Sequence, residues 1–227
     1  NYLYQITNKD AINFKMIRTT LKGGKEDEII PNRDKTTLDN VSMFKNHMAV
    51  LERIDGNLEI RLFNFEDESW YNIEMNEDIY SVTFEENYDW NSDFFRFGYG
   101  SFKTPYCVYD IDFKTQKKSL RKKEEILGGY ESHNYVSERI WAPTHDGKKL
   151  AITLLYKKGI NLKGNNPCFL WGYGSYGYTY DPWFSSNIFS LVDRGMVYAR
   201  AHIRGSSFMG RKWYLDGKLK QKKNTFE

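Results

Sequence analysis

The sequence has 227 residues, of which 40% are hydrophobic and 28% charged, an ordinary composition for a soluble globular protein. Its 33 Lys and Arg residues nearly balance 30 Asp and Glu residues, so the net charge of +3 predicts neither a nucleic-acid nor a membrane partner. No apolar run approaches the roughly 20 residues that a membrane-spanning helix needs.

The two cysteines, Cys107 and Cys168, are far apart and show neither CxxC nor Cys/His spacing. The sequence therefore predicts no disulfide framework and no zinc site, and a reducing, cytoplasmic location is expected. It also contains no HExxH pattern and no cluster of carboxylates suited to a metal. We expect no metal and no other cofactor.

Residues 1–127 show short strand patterns separated by turns. Ile12, Phe14 and Met16 alternate with polar residues, the period expected of a strand with one buried face. The turn Asp55-Gly56-Asn57 separates two apolar segments and predicts a hairpin. Further strands are predicted at 79–84, 94–100 and 107–113. Regularly spaced strands rich in aromatic residues indicate a sandwich, a barrel or a propeller, and no clear internal repeat selects among them.

The pattern changes after Gly128-Gly129, where strands begin to alternate with helices. An antiparallel pair is predicted around His145-Asp146-Gly147. It is followed by a strand at 168–171, a helix at 184–193, a strand at 196–203 and a short helix at 207–215. This order is typical of an α/β sheet with crossover helices, so we place a domain boundary after residue 127. The predicted domains are 1–127 and 128–227.

The string WGYGSYG, residues 171–177, satisfies G-x-G-x-x-G directly after a predicted strand. A dinucleotide site would need a helix that begins at these glycines, and the sequence places a Tyr-rich loop there instead. A nucleophile elbow needs G-x-S-x-G, but Ser175 is preceded two residues earlier by Tyr173. Ser206 also lacks the flanking glycines. None of the four histidines, His47, His133, His145 and His202, lies in a catalytic motif. A functional role is conceivable for His202, which follows a predicted strand, but a structural or solvent-exposed role is favoured for each of the four.

Several strings taken in order resemble the prolyl oligopeptidases, most closely the oligopeptidase B branch. They are YVSERIWAPTHDGKKLAITLLYKKG, NPCFLWGYGSYG, DPWFSSNIFSLVDRGMVYARAHIRG and GRKWYLDGKLKQKKNTF. The upstream strings TTLDNVSMFKNHMAVLERIDG and LGGYESHNYVSER resemble later propeller blades of that branch. The resemblance covers essentially the whole chain and is more specific in its second half.

The resemblance implies a fold of mixed class. Residues 1–127 would form a partial all-β propeller of about three blades, and residues 128–227 the N-terminal portion of an α/β-hydrolase catalytic domain. It implies a serine-type oligopeptidase that hydrolyses short peptides after Lys or Arg, with the propeller restricting access to the active site.

The resemblance assigns one catalytic residue in this sequence. In the family, the second tyrosine of a YGYG-like string donates its hydroxyl to the oxyanion hole; the string here is WGYG, and the residue is Tyr173. A hydroxyl near the attacked carbonyl stabilises the negative charge that develops on its oxygen. One departure concerns Arg204-Gly205-Ser206, where the family usually has Arg-Gly-Gly, because a serine at a turn that needs positive φ is strained.

The family's nucleophile, triad Asp and His, and substrate-binding acids are expected further along than Glu227. We therefore predict that the chain alone is inactive, because covalent catalysis has no nucleophile or base here. It would act within a complete chain or with a complementing chain that carries the rest. The alternative hypothesis is a non-catalytic peptide-binding or interaction remnant of a truncated peptidase.

Overall fold

The computed structural model describes residues 2–227, and its first half is built from antiparallel sheets. Residues 2–123, here called the N-terminal region, form three of them. The first contains β1 (Tyr2–Thr7), β2 (Lys15–Thr20) and β3 (Asp27–Ile30); the second β4 (Thr36–Met43), β5 (His47–Ile54), β6 (Asn57–Asn64) and β7 (Trp70–Asn72); the third β8 (Ser81–Phe84), β9 (Phe94–Gly100), β10 (Cys107–Asp112) and β11 (Lys118–Lys123).

Neighbouring strands in these sheets follow chain order, so each sheet forms by successive hairpins. The predicted hairpin is confirmed: β5 and β6 pair antiparallel from His47 with Asn64 to Ile54 with Asn57. The connecting residues Asp55 and Gly56 both have positive φ, 47° and 87°, as a two-residue hairpin turn requires.

The strand predicted from the alternation of Ile12, Phe14 and Met16 is wrong before Lys15. Phe14 has a φ of 66° and its amide donates to the Ala11 carbonyl, so residues 11–14 form a turn. The Asn13 side chain fixes this turn by donating to the carbonyls of Arg33 and Asp34. Hydrogen bonds from the Asn13 side chain to residues 20 and 21 positions away therefore override the period-2 pattern.

Both faces of the second sheet are buried, because β5 contributes to two apolar cores. Leu51 belongs to a core that contains Phe97 of the third sheet. Val50 belongs to a second core that contains Met16 of the first sheet. The three sheets therefore pack face to face in sequence order, with alternate residues of β5 on opposite sides.

Residues 132–227, here called the C-terminal region, form a mixed sheet with short helices. Its elements are a 3₁₀ helix (Ser132–Asn134), β12 (Tyr135–Pro143), β13 (Lys149–Lys157), β14 (Cys168–Gly172), α1 (Ser186–Val192), β15 (Val197–Ala201), α2 (Arg211–Leu215) and a second 3₁₀ helix (Leu219–Thr225). The strand order is β12-β13-β15-β14, and β14 pairs parallel with β15. Helix α1 makes the crossover between these two strands, as a parallel pair requires.

The two regions share an apolar core and several polar contacts. Phe102 of the N-terminal region packs edge to face against Tyr198 of β15, in a core that includes Phe189 of α1. The Phe208 ring lies against Gly56 of the β5–β6 turn, where an added Cβ would collide with it. Glycine at this turn thus permits two things: the backbone can adopt a positive φ, and the Phe208 ring of the C-terminal region can approach closely.

Candidate functional site

The loop between β14 and α1, residues 173–185, carries the candidate catalytic residue. Tyr173 follows the carboxyl end of β14, the edge of an α/β sheet at which ligands bind. Its ring packs edge to face against Tyr180, with centroids 5.5 Å apart, and against Tyr178, at 6.4 Å. The side chain is 37% exposed, so the ring is supported while its surface remains reachable.

The glycines of this string lie against the turn formed by residues 204–207. The Gly177 amide donates to the Gly205 carbonyl at 2.9 Å, and the Ser207 amide donates to the Gly177 carbonyl at 3.1 Å. At Gly174, an added Cβ would meet the Arg204 carbonyl, the Ile203 side chain and the Thr225 side chain. The glycines therefore allow close contact between two backbone segments, which explains their presence without a cofactor.

The part of the chain that the structure describes shows neither the helix that a dinucleotide site would need nor a serine placed as in a nucleophile elbow. Helix α1 begins at Ser186, well after Gly177, so the glycines do not open a helix. The Ser175 hydroxyl accepts a hydrogen bond from Lys222 Nζ at 2.9 Å, and Lys222 also donates to the Gly174 carbonyl. Ser206 is buried, and its hydroxyl donates to the Ile203 carbonyl at 2.8 Å.

The serine at position 206 is not strained. Gly205, with a φ of 88°, occupies the left-handed region of this turn, whereas Ser206 has no positive φ. The replacement of the family's second glycine therefore places no L-residue in an unfavourable backbone conformation.

The four histidines are dispersed over the molecule. His47 stacks on Phe113, with ring centroids 4.2 Å apart, and His133 and His145 are exposed. His202 is 3% exposed; its Nε2 lies 2.8 Å from the Thr153 hydroxyl and its ring stacks on Phe208. Burial, with added repulsion from nearby arginines, lowers the pKa of His202 to about 2. It is therefore neutral and structural at ordinary pH.

A pair that sequence reasoning missed connects the candidate loop to the N-terminal region. Arg53 of β5 binds Asp181 through two hydrogen bonds, Nη1 to Oδ1 at 2.7 Å and Nη2 to Oδ2 at 2.9 Å. Arg53 lies on the same face of β5 as Ala49 and Leu51, which are buried. The sequence contained one feature that could have predicted a partner for Arg53. A charged residue that alternates in register with buried apolar residues is itself expected to be buried, and a buried charge needs a partner of opposite charge.

A cavity of about 490 Å³ lies between the two regions beside this pair. The residues that line it from the N-terminal region include Thr37, Asp39 and Arg53, and those from the C-terminal region include Tyr178, Asp181 and Trp183. Tyr178 lines the cavity and packs edge to face against Tyr173 with ring centroids 6.4 Å apart, so one ring separates the cavity from the candidate catalytic residue. Among residues 2–227, no group of three or more His, Cys, Asp or Glu side chains is placed to hold a metal ion. In the same residues, no helix is long and apolar enough to cross a membrane.

Family comparisons agree with this architecture. Residues 1–124 match the model of the prolyl oligopeptidase N-terminal β-propeller domain, and residues 182–227 match that of the prolyl oligopeptidase family. The chain therefore belongs to the prolyl oligopeptidase family. The predicted fold class, a partial propeller followed by the first part of an α/β-hydrolase domain, is confirmed.

The chain is similar to several characterised members. It is 39% identical to dipeptidyl aminopeptidase BI of Pseudoxanthomonas mexicana, with 97% of this chain and 31% of that protein aligned. It is 30% identical to protease 2 of Moraxella lacunata, again over 97% of this chain and 32% of that protein. Oligopeptidase B of Trypanosoma brucei, solved with covalently bound antipain, superposes with a TM-score of 0.93 at 33% identity, covering 100% of this chain and 35% of that one. The chain thus spans about a third of the length of the relatives that it matches.

Proposed function

We propose that these residues form part of a serine-type oligopeptidase of the oligopeptidase B kind, which hydrolyses short peptides after Lys or Arg. The proposal is supported by family membership and by the similarity to oligopeptidase B over the whole chain. Residues 1–127 act as the partial propeller and residues 128–227 as the N-terminal portion of the catalytic domain. The Ser, His and Asp of the triad are supplied from outside residues 1–227, by the same chain or by a complementing one.

Within this enzyme Tyr173 donates its hydroxyl to the oxyanion hole. The observation that carries this role is its position at the carboxyl end of β14, with a ring fixed by Tyr178 and Tyr180 and still partly exposed. When a nucleophile attacks the peptide carbonyl, negative charge develops on the carbonyl oxygen, and this oxygen accepts a hydrogen bond from the phenol hydroxyl of Tyr173. A donor held in place before the reaction needs no reorganisation, which lowers the barrier to formation of the tetrahedral intermediate.

The test is Tyr173→Phe in the full-length peptidase, assayed with a short lysyl or arginyl peptide. Loss of one oxyanion donor is expected to lower kcat by roughly 10²- to 10³-fold. We expect a much smaller change in KM, because the hydrogen bond strengthens only as the oxyanion forms. The matched control is Tyr176→Phe, which removes the hydroxyl of a 90% exposed tyrosine three residues away. A kcat for Tyr173→Phe equal to that of the control would overturn the role of Tyr173.

A further inference from the structure

The bond between Arg53 and Asp181 joins parts of the chain that are 128 residues apart. Each of the two guanidinium Nη atoms donates to one of the two carboxylate oxygens, so the pair fixes orientation as well as distance. The two side chains are 8% and 13% exposed, which limits competition from water. Arg53 Nη1 also donates to the Gly56 carbonyl at 3.0 Å, which anchors the arginine to its own hairpin.

Asp181 lies at a junction where three arginines, Arg53, Arg139 and Arg200, outnumber two carboxylates, Asp181 and Asp39. Arg139 is close enough to interact electrostatically with Asp181, and Arg200 Nη1 donates to the Asp181 backbone carbonyl at 2.8 Å. Although burial alone would lower the pKa of Arg53, its contact with Asp181 raises it. The side chain and the backbone of Asp181 are therefore both held by arginines, one from each region.

A short chain of packed rings leads from Asp181 to Tyr173. Tyr180, the residue before Asp181, packs edge to face on Trp171 with centroids 4.6 Å apart and on Tyr173 at 5.5 Å. The Arg200 guanidinium lies 5.3 Å from the centre of the Trp171 ring. A shift of the backbone at Asp181 thus moves the ring that supports Tyr173.

We propose that Arg53 is a positioning residue for Tyr173, holding the loop 173–185 through Asp181 so that the phenol hydroxyl stays at the oxyanion position. The inference rests on the function proposed above for Tyr173. In this role Arg53 makes the N-terminal region a structural support of the catalytic site, in addition to its proposed role in restricting access. Displacement of a catalytic group by about 1 Å can cost roughly 10²-fold in rate, so a distant anchor is sufficient to change turnover.

The experiment compares Arg53→Ala, Arg53→Lys and Arg96→Ala in the full-length peptidase, with rates normalised to titrated active sites. Arg96 is a control, because it also binds a carboxylate through two hydrogen bonds, from Nε at 2.6 Å and Nη2 at 2.9 Å to Asp110, but within the N-terminal region. We expect Arg53→Ala to lower kcat by roughly 10- to 100-fold with KM for a short peptide changed less than about twofold. Arg53→Lys should recover part of the loss, and Arg96→Ala should keep the normalised kcat.

A double-substitution cycle with Tyr173→Phe separates positioning from independent effects. If Arg53 acts through the Tyr173 hydroxyl, Arg53→Ala costs little further once that hydroxyl is gone. An equal loss in both backgrounds would overturn the inference and leave the role of Tyr173 intact. If Tyr173→Phe itself has no effect on kcat, the proposed function of Tyr173 and the inference both fail.

Amide hydrogen exchange gives a readout that needs no turnover. In Arg53→Ala, amides in residues 173–185 should exchange faster than in the parent protein, whereas Arg96→Ala should leave them unchanged. Unchanged exchange in Arg53→Ala would overturn the inference, since the loop would then be held without the arginine.

Discussion

In the N-terminal region each buried carboxylate is held by nearby arginines, whereas Asp181 of the C-terminal region is held by an arginine from the other region. Glu52 accepts hydrogen bonds from Arg61 and Arg33, and Asp110 accepts them from Arg96 and Arg121. Although Arg53 of β5 binds Asp181 of the other region, the buried carboxylates of the N-terminal sheets thus complete their polar contacts within their own region. The candidate catalytic loop does not, so its geometry depends on how the two regions dock.

The two regions also differ in how completely their sheets are covered by apolar contacts. The sheets of the N-terminal region stack so that alternate residues of β5 enter two cores. In the C-terminal sheet, β14 is an edge strand among the described residues, and its Leu170 is 64% exposed. Stability should therefore respond most to substitutions inside the N-terminal sheets, and function to substitutions at the junction.

The largest expected effect is that of Glu52→Gln. Glu52 is fully buried, and Arg61 donates to it from Nε at 2.7 Å and from Nη2 at 2.9 Å. Removing one partner of a buried ionic group leaves the arginines uncompensated, so the free energy of unfolding should fall by about 3–5 kcal/mol. Urea unfolding followed by circular dichroism measures this loss. Glu66→Gln, at an exposed side chain, is the control, and equal midpoints for the two variants would show that the arginines do not depend on the charge of Glu52.

A second prediction concerns pH at the junction. Burial first, and then Arg139, Arg200 and Arg53, lower the pKa of His202 from 6.5 to about 2. Below pH 6.5 the unfolded chain takes up a proton that the native state does not bind, so stability falls as the pH falls. Between pH 6.5 and 4 this group should cost about 3 kcal/mol of unfolding free energy.

The measurement is the pH dependence of urea unfolding for the parent, His202→Gln and His145→Gln. His202→Gln should flatten the acid slope, whereas loss of the exposed His145 should leave the slope as it is in the parent. An unchanged slope in His202→Gln would mean that the buried imidazole does not link the junction to pH.

Sequence patterns correctly predicted those features of the fold that depend only on neighbouring residues in the chain. The hairpin of β5 and β6 follows from Asp55-Gly56, because positive φ at both turn positions is a local requirement. The turn that includes Phe14 was missed, since it depends on Asn13 bonding to carbonyls some 20 residues away. The bond between Arg53 and Asp181 was missed for the same reason, as no local period connects a strand residue to a distant loop. Tyr173 was singled out by family resemblance, and composition alone gave no reason to prefer it over the neighbouring tyrosines.

The smallest expected effect is that of Gly174→Ala, which tests whether the candidate loop needs its close backbone contact. The new Cβ would overlap the Arg204 carbonyl and lie 2.7 Å from Thr225 Cγ2 and 2.9 Å from Ile203 Cγ1. Because backbone atoms cannot rotate away, the loop must move, at an expected cost of about 1–3 kcal/mol in unfolding free energy. Ser175→Ala is the neighbouring control, since it removes only the hydroxyl that binds Lys222. Faster amide exchange at residues 173–185 in Gly174→Ala, beyond that in Ser175→Ala, would show that the loop is held from its own region as well as through Arg53. Equal exchange in the two variants would leave the inter-region ion pair as the dominant support of Tyr173.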